Sequence, residues 1–233
     1  LFFSYADDCN FIIGARTTDD MIRKIQKALE VVSEWTRRYD MQLEHNKSKF
    51  LVFAGHTPDE IKADCVSIVR VNELKVLGVL LDSKLSFHNH VIATIRKAIK
   101  TAHALNLSLG KRLSVEDALI FLKTTVLPKI SFASIIWIRA LKSPRIRRLL
   151  CSAQHHMLTL GLRAFPKSSY DYLVNMSKSV YIDTYILGTA VRRHLHMPVD
   201  GREKFKSKRV EFLEEIAKNC MLPIDSGLYF KKT

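Results

Sequence analysis

The chain has 233 residues, of which 47% are hydrophobic and 9% aromatic, so it can form one large or two small domains and is not a disordered segment. Its 37 Lys and Arg against 23 Asp and Glu give a net charge of +14, which favours a polyanionic partner, nucleic acid rather than a lipid surface. No run approaches 18 consecutive apolar residues and no signal-peptide pattern is present, so we expect no membrane span and no secretion.

Two apolar, aromatic-rich runs open the chain and flank Tyr5-Ala6-Asp7-Asp8, a pattern that predicts a β-hairpin. Adjacent carboxylates repel each other, so the pair must be solvated or neutralised by cations. Asp7 and Asp8 therefore form either an ordinary solvated turn or ligands for Mg²⁺, which prefers oxygen.

A helix and several strands are expected next. Thr17 predicts the N-cap of an amphipathic helix with Asp19 and Asp20 in its first turn. Its buried stripe is expected to consist of Ile22, Ile25, Leu29, Val32, Trp35 and Tyr39.

A lysine-bearing polar turn then precedes a strand at Phe50 to Phe53. This turn either belongs to the ordinary surface or directs one cation toward the aspartates. Further strands are predicted at residues 65–71 and at 74–82, the latter interrupted by Gly78.

From Val91 onward the periodicity is helical. Helices are predicted over Val91–Leu109, from Ser114 to about Val126 before Pro128, over Ile130–Leu141, from Ser143, over 170–176, over 181–195 and within 202–218. Between Arg96 and Arg163 the sequence holds 13 Lys or Arg and 2 Asp or Glu. Phosphate contacts explain this excess most economically, and a merely soluble basic bundle is the alternative.

Four cysteines are scattered along the chain without a close pair: Cys9, Cys65, Cys151 and Cys220. Their spacing argues against a zinc site or a disulfide framework, and it predicts a reducing intracellular setting, nucleus or cytoplasm.

The order of these pieces resembles the second half of a reverse transcriptase palm followed by its thumb, in the version found in non-LTR (LINE-type) retrotransposons of animals. The resemblance covers about residues 1–190. It is carried by Tyr5-Ala6-Asp7-Asp8, by Leu43-x-x-Asn46-x-Ser48-Lys49, by Lys75-x-Leu77-Gly78-Val79-x-Leu81-Asp82 followed by His90, by the Trp137 region and by the stretch from Gln154 to Tyr172.

This resemblance implies RNA-directed DNA polymerase activity by two-metal catalysis with Mg²⁺. Asp7 and Asp8 would be metal ligands, and Lys49 would act as a general acid toward pyrophosphate. The residues implied in primer and template binding are Tyr5, Leu77, Gly78, Arg96, Lys97, Lys100, Lys111 and Arg112. The implied partners are an RNA template, a DNA primer and deoxynucleoside triphosphates.

The family pattern differs from this chain at two points. It has Thr or Ser after the motif lysine, where this chain has Phe50. It also has a further metal-binding Asp on a strand upstream of the hairpin, together with the fingers. We therefore expect the sequence to be a fragment that is inactive alone and that pairs with the missing N-terminal part of a parent polyprotein.

The expected fold class is α+β: a truncated polymerase palm of antiparallel strands with a packed helix (1–90), a helical thumb (91–150) and a helical extension (151–233). Two other functions compete with the enzyme fragment. One is a non-catalytic nucleic-acid-binding protein derived from the thumb. The other is a viral-type RNA-dependent RNA polymerase, which Tyr5-Ala6 disfavours because those enzymes more often carry Gly-Asp-Asp.

Overall fold

The computed structural model describes residues 1–6, 8–42, 44, 47–55, 57–63, 66–109 and 112–195. They form two compact units, one from Leu1 to Leu85 and the other from Ser86 onward. The first combines short strands with one long helix, and the second is helical. This confirms the mixed α+β composition. The helix expected within 202–218 lies outside the described residues, as do Cys65 and Cys220.

The described strands of the first unit form three small sheets. Two are antiparallel hairpins, β1–β2 and β6–β7, and the third has the order β3-β5-β4. In that sheet β4 is antiparallel to β5, whereas β3 is parallel to it, which the expectation of antiparallel strands did not include. The strands are β1 Phe2–Tyr5, β2 Asp8–Phe11, β3 Lys49–Phe50, β4 Glu60–Ala63, β5 Val66–Arg70, β6 Glu73–Val76 and β7 Val79–Asp82.

Helix α1, Thr18–Arg38, begins as the sequence predicts, since the Thr17 hydroxyl accepts a hydrogen bond from the Asp20 backbone N–H at 3.2 Å. Its first half packs on the three-stranded sheet, where Ile25 meets Ile61 and Ile68. Removing this apolar area from water holds helix and sheet together.

The predicted buried stripe of α1 is wrong in its second half. Trp35 is 49% exposed and Tyr39 is 60% exposed. The 21-residue helix is about 31 Å long. The four- and five-residue strands under it reach only about 13–17 Å. The sheet therefore covers only part of the helix.

Two strand predictions in this unit also need correction. The strand expected over Phe50 to Phe53 is limited to Lys49–Phe50, because only these residues pair with β5. The segment 74–82 is a hairpin rather than one interrupted strand. Gly78 has φ +89° and Leu77 has φ +46°, so these two residues form the turn between β6 and β7. Two successive left-handed residues are characteristic of a type I′ hairpin turn.

In the described residues, the second unit contains helices α2 His88–Leu109, α3 Val115–Phe121, α4 Leu127–Ile130, α5 Ser134–Trp137, α6 Pro144–Leu162, α7 Tyr170–Met176 and α8 Ile182–Leu195. A π-helical turn, Leu122–Val126, joins α3 to α4, and a 3₁₀ turn, Ile138–Lys142, follows α5. The predicted helices over 170–176 and 181–195 are confirmed within one residue. The helix predicted from Val91 begins three residues earlier.

Two predicted helix boundaries in this unit are wrong. Pro128 does not end the second helix, since the chain continues through the π-helical turn into α4. Proline lacks an N–H and crowds the carbonyl four residues before it, and a widened turn relieves that crowding. The helix predicted over Ile130–Leu141 is broken at Ala133, whose φ of +50° cannot continue a right-handed helix.

The core of the second unit lies between α2, α6, α8 and the 3₁₀ turn, with Trp137, Leu150 and Ile186 fully buried. Gln154 of α6 is one of the buried polar residues of this unit, 1% exposed. Its Nε2 donates to the Val180 carbonyl at 2.8 Å, and its Oε1 accepts from the Ile182 backbone N–H at 2.8 Å and from the Tyr170 hydroxyl. This amide thereby links α6 to the start of α8.

In the part of the chain that the structure describes, no single helix is long and apolar enough to cross a membrane. The segments Val115–Ile130 and Ser134–Lys142 meet the criterion together by length and composition only, and they are bent by 52° at their break.

Candidate functional site

The aspartate-bearing hairpin forms as predicted, with β1 and β2 in the register Phe2↔Phe11, Phe3↔Asn10, Ser4↔Cys9 and Tyr5↔Asp8. Directly opposed residues of an antiparallel pair share a face, so Tyr5 and Asp8 stand together on one side. Both are exposed. Ala6, with φ +51°, follows Tyr5 in the turn. Asp7 lies outside the described residues, so the structure tests only one of the two predicted metal ligands.

The donor chemistry at this hairpin fits a hard cation. Asp8 offers an exposed carboxylate, and a second carboxylate precedes it in the sequence. Oxygen donors of this kind are what Mg²⁺ binds, commonly through one or two carboxylates. Within the described ranges, no group of three or more His, Cys, Asp and Glu side chains could hold a metal ion.

Lys49 lies in β3, paired with Val69, and its side chain is exposed. The next residue, Phe50, points to the opposite face and packs against the core formed by Ile25, Ile61 and Ile68. Phe50, which stands where the family has Thr or Ser, therefore contributes to the packing of this core. No described hydrogen bond or ion pair joins Lys49 to Asp8. Three residues of the preceding turn, Leu43, His45 and Asn46, lie outside the described part of the chain.

Leu77 and Gly78 form the turn of the β6–β7 hairpin, and Leu77 is 46% exposed. A leucine with positive φ is strained, because its Cβ crowds the backbone in that region. Strain of this kind clusters at functional sites. The turn that the resemblance implies in primer and template binding is therefore exposed, and it carries an apolar side chain in an unfavourable backbone conformation.

Arg96, Lys97 and Lys100 share the exposed face of α2, which we call the lysine face. Val91, Ile95 and Ala98 of the same helix are buried in the core. Helix α2 contains no Asp or Glu, so its solvent-exposed face has no carboxylate of its own. Arg112 is exposed at the start of the segment before α3, and Lys111 lies outside the described residues. The structure thus groups three of the five predicted basic residues on one surface.

His90, which belongs to the resemblance, is a core residue of the same helix. It is 3% exposed, and its ring lies 6.1 Å from that of Trp137 in an edge-on arrangement. Burial, assisted by the positive charge of Lys97, lowers the pKa of His90. A neutral imidazole in such surroundings supports packing rather than proton transfer.

Sequence reasoning missed Lys129, which contacts α2 next to its lysine face, and Phe132, which lies three residues later. The Lys129 ammonium donates to the Thr101 hydroxyl of α2 at 2.9 Å, which aligns α4 with the lysine face. Phe132 follows in the next turn and is 45% exposed. The available signal was compositional, since residues 118–170 contain nine Lys or Arg and no Asp or Glu. The contact of Lys129 with α2, however, arises only from helix packing.

Comparison with known proteins finds several curated polymerases of mobile elements. The "Probable RNA-directed DNA polymerase from transposon X-element" of Drosophila melanogaster is 31% identical over 138 residues, 58% of this chain and 15% of the relative. The "Retrovirus-related Pol polyprotein from type-1 retrotransposable element R1" of Bradysia coprophila is 23% identical over 165 residues, 68% of this chain and 16% of the relative. The chain is similar to transposon-encoded RNA-directed DNA polymerases.

A third relative, the "Probable RNA-directed DNA polymerase from transposon BS" of Drosophila melanogaster, is 24% identical over 116 residues, 48% of this chain. These similarities support the resemblance to LINE-type reverse transcriptases. The matching part of the chain spans 13–16% of the length of these curated relatives. No family model and no solved structure matches the chain.

Proposed function

We propose that the chain is part of the RNA-directed DNA polymerase of a non-LTR retrotransposon, with the end of the palm at 1–90, the thumb at 91–150 and a helical extension at 151–233. Its partners are an RNA template, a DNA primer, deoxynucleoside triphosphates and the N-terminal part of the parent polyprotein. It works in the nucleus or the cytoplasm. The observation that carries the proposal is the hairpin in which Tyr5 pairs with Asp8, beside Asp7 in the sequence.

In this proposal Asp7 and Asp8 hold Mg²⁺ at the hairpin. Mg²⁺ held there would supply activation of the primer 3′-hydroxyl and stabilisation of the leaving pyrophosphate. Tyr5 stands beside Asp8 and contacts the primer–template. Lys49 donates a proton to pyrophosphate, and Leu77 with Gly78 contacts the primer end. The exposed cations of α2 and Arg112 hold the duplex by its phosphates, which positions it without reading sequence.

A polypeptide with the printed sequence is expected not to extend a primer alone. The resemblance requires one more carboxylate, on an apolar strand before the hairpin, and residues 1–6 contain no Asp or Glu. Primer extension on an RNA template tests this expectation. Robust incorporation by the chain alone, abolished by Asp7→Asn, would show that the missing carboxylate is assigned wrongly.

Adding the upstream part of the polyprotein tests whether this chain contributes to an active polymerase. Co-expression with the upstream part of the parent polyprotein should give Mg²⁺-dependent incorporation, and Asp7→Asn should remove it. Asp19→Asn, in the first turn of α1, is the matched control that removes a carboxylate elsewhere in the same unit and should leave incorporation unchanged.

A second candidate function, a non-catalytic nucleic-acid-binding protein, is favoured by the carboxylate-free lysine face of α2. The two candidates differ in metal dependence. Mg²⁺ binding that is lost in Asp7→Asn supports the polymerase. Salt-sensitive nucleic-acid binding with no Mg²⁺ binding, in a chain that stays inactive with the upstream part, supports the second candidate.

A further inference from the structure

Phe132 is an exposed aromatic side chain held on a rigid backbone. It lies in the three-residue turn between α4 and α5 and is 45% exposed. The indole N–H of Trp137, a side chain only 1% exposed, donates to the Phe132 carbonyl at 2.8 Å. Ser131, the first residue of the turn, and Ser134, the first residue of α5, are buried as well. The ring is therefore presented to solvent from a backbone that its buried neighbours fix.

The surroundings of Phe132 are strongly basic. Lys129 lies three residues earlier and donates to Thr101 of α2 at 2.9 Å. The Thr101 hydroxyl in turn donates to the Lys97 carbonyl at 3.0 Å, so the turn adjoins the lysine face of α2. Neither residues 88–109 nor residues 118–170 contain any Asp or Glu. An anionic ligand whose charged groups contact the lysine face of α2 would therefore also reach the ring of Phe132.

We propose that Phe132 is a stacking platform for one unpaired base of a single-stranded nucleic acid whose phosphates lie on the lysine face of α2. The inference rests on the proposed function, because it takes nucleic acid as the partner of that face. Aromatic side chains beside a basic groove stack bases without sequence preference, since every base has a π-face. A duplex end offers no unpaired base, so the platform distinguishes single strands from blunt duplexes.

Fluorescence anisotropy with a labelled oligo(U) of roughly 12 nucleotides tests the platform on the full chain. Phe132→Ala should weaken binding of this RNA by about 5- to 100-fold. The same substitution should leave a blunt duplex of equal length bound as before. Phe132→Trp should keep the affinity, because the larger ring also stacks. The slope of log K against log salt should stay the same in both variants, because no charge is removed.

Two matched controls separate stacking from general apolar contact. Ile136, 51% exposed, lies four residues beyond Phe132, and Ile136→Ala removes apolar area but no π-face. Tyr172, 54% exposed beside Asp171, is an aromatic residue on a different helix. Both alanine variants should bind the single strand like the original chain.

Each outcome supports or overturns the inference. If the original chain binds neither the single strand nor the duplex, the proposed nucleic-acid function and this inference both fail. If it binds the duplex but not the single strand, the platform alone is wrong, because the proposed function needs only the duplex to bind. If it binds and Phe132→Ala is unaffected, or Ile136→Ala is equally weakened, the platform alone is wrong and the proposed function stands. A melting curve checks folding, and Phe132→Leu, which keeps an apolar side chain in the turn, replaces the alanine variant if the latter does not fold.

Discussion

Leu77 shows how one residue can combine backbone strain with a proposed role. Its φ of +46° lies in the region that glycine and asparagine tolerate and leucine does not. The side chain is 46% exposed, so its local burial compensates little for the strain. A residue selected for stability alone would be Asn or Gly at this point of a type I′ turn. The leucine is consistent with a contact to a ligand such as the primer end.

Replacing Leu77 should therefore stabilise the hairpin and weaken function. Leu77→Asn is expected to raise the free energy of unfolding by about 1 kcal/mol, because it relieves the left-handed strain. In the enzyme completed with the upstream part it should raise the KM for primer. Urea denaturation and primer titration measure the two effects.

The adjacent glycine provides a control of opposite sign. Gly78 has φ +89°, so Gly78→Ala should lower the free energy of unfolding by about 1 kcal/mol at the same turn. Gly14→Ala should be close to neutral, since its added Cβ would meet nothing within 4 Å. A loss of stability in Leu77→Asn would contradict the strain argument and assign the leucine a packing role.

Among the secondary-structure elements, several helices could be predicted from the periodicity of apolar residues, whereas the short strands were harder to predict. The caps at Thr17 and Ser114 and the apolar spacing of α7 and α8 locate those helices. β4 was missed because Glu60-Ile61-Lys62-Ala63 contains only one large apolar residue. The Tyr5–Asp8 hairpin was predictable from local sequence. The proximity of Lys129 to Thr101 was not, because packing between distant helices produces it.

Helices α2 and α6 meet at a pair of histidines that makes their packing sensitive to pH. The Nε2 atoms of His103 and His156 lie 2.9 Å apart, so one ring must offer a lone pair to the N–H of the other. Burial first, and then the charges of His103 and His155, lower the pKa of His156 below its usual 6.5. The folded state therefore favours the neutral form of His156.

The sign of the pH dependence follows from this direction. When the pKa of a base is lower in the folded state than in the unfolded state, the unfolded state binds the proton more readily. The free energy of unfolding is therefore highest above pH 6.5, where the base is neutral in both states, and it decreases as the pH falls below 6.5. His90 acts in the same direction, since burial and Lys97 lower its pKa. His156→Gln, which hydrogen-bonds but does not titrate, should lose less stability between about pH 7 and pH 5 than the original chain.

Chemical denaturation at several pH values measures this difference. A pH dependence unchanged in His156→Gln would mean that other groups control acid sensitivity in this range.

For the whole molecule, the net charge of +14 matters less than where the cations lie. In the first unit, Lys24 and Arg23 pair with Asp20, at 2.7 and 2.8 Å, and thereby hold the pKa of Asp20 below its usual value. The lysine face of α2 has no carboxylate on its own helix. Nucleic acid is therefore expected to bind by the second unit's local charge rather than by the total.

The salt dependence of duplex binding distinguishes local from total charge. Each phosphate contact adds about 0.9 to the slope of log K against log salt for a duplex. Lys97→Ala with Lys100→Ala should therefore reduce that slope by about 1.8. Lys27→Ala with Arg37→Ala removes the same charge from the exposed face of α1 and should leave the slope unchanged. Equal reductions of the slope in the two double variants would mean that the total charge, and not the lysine face of α2, determines duplex binding.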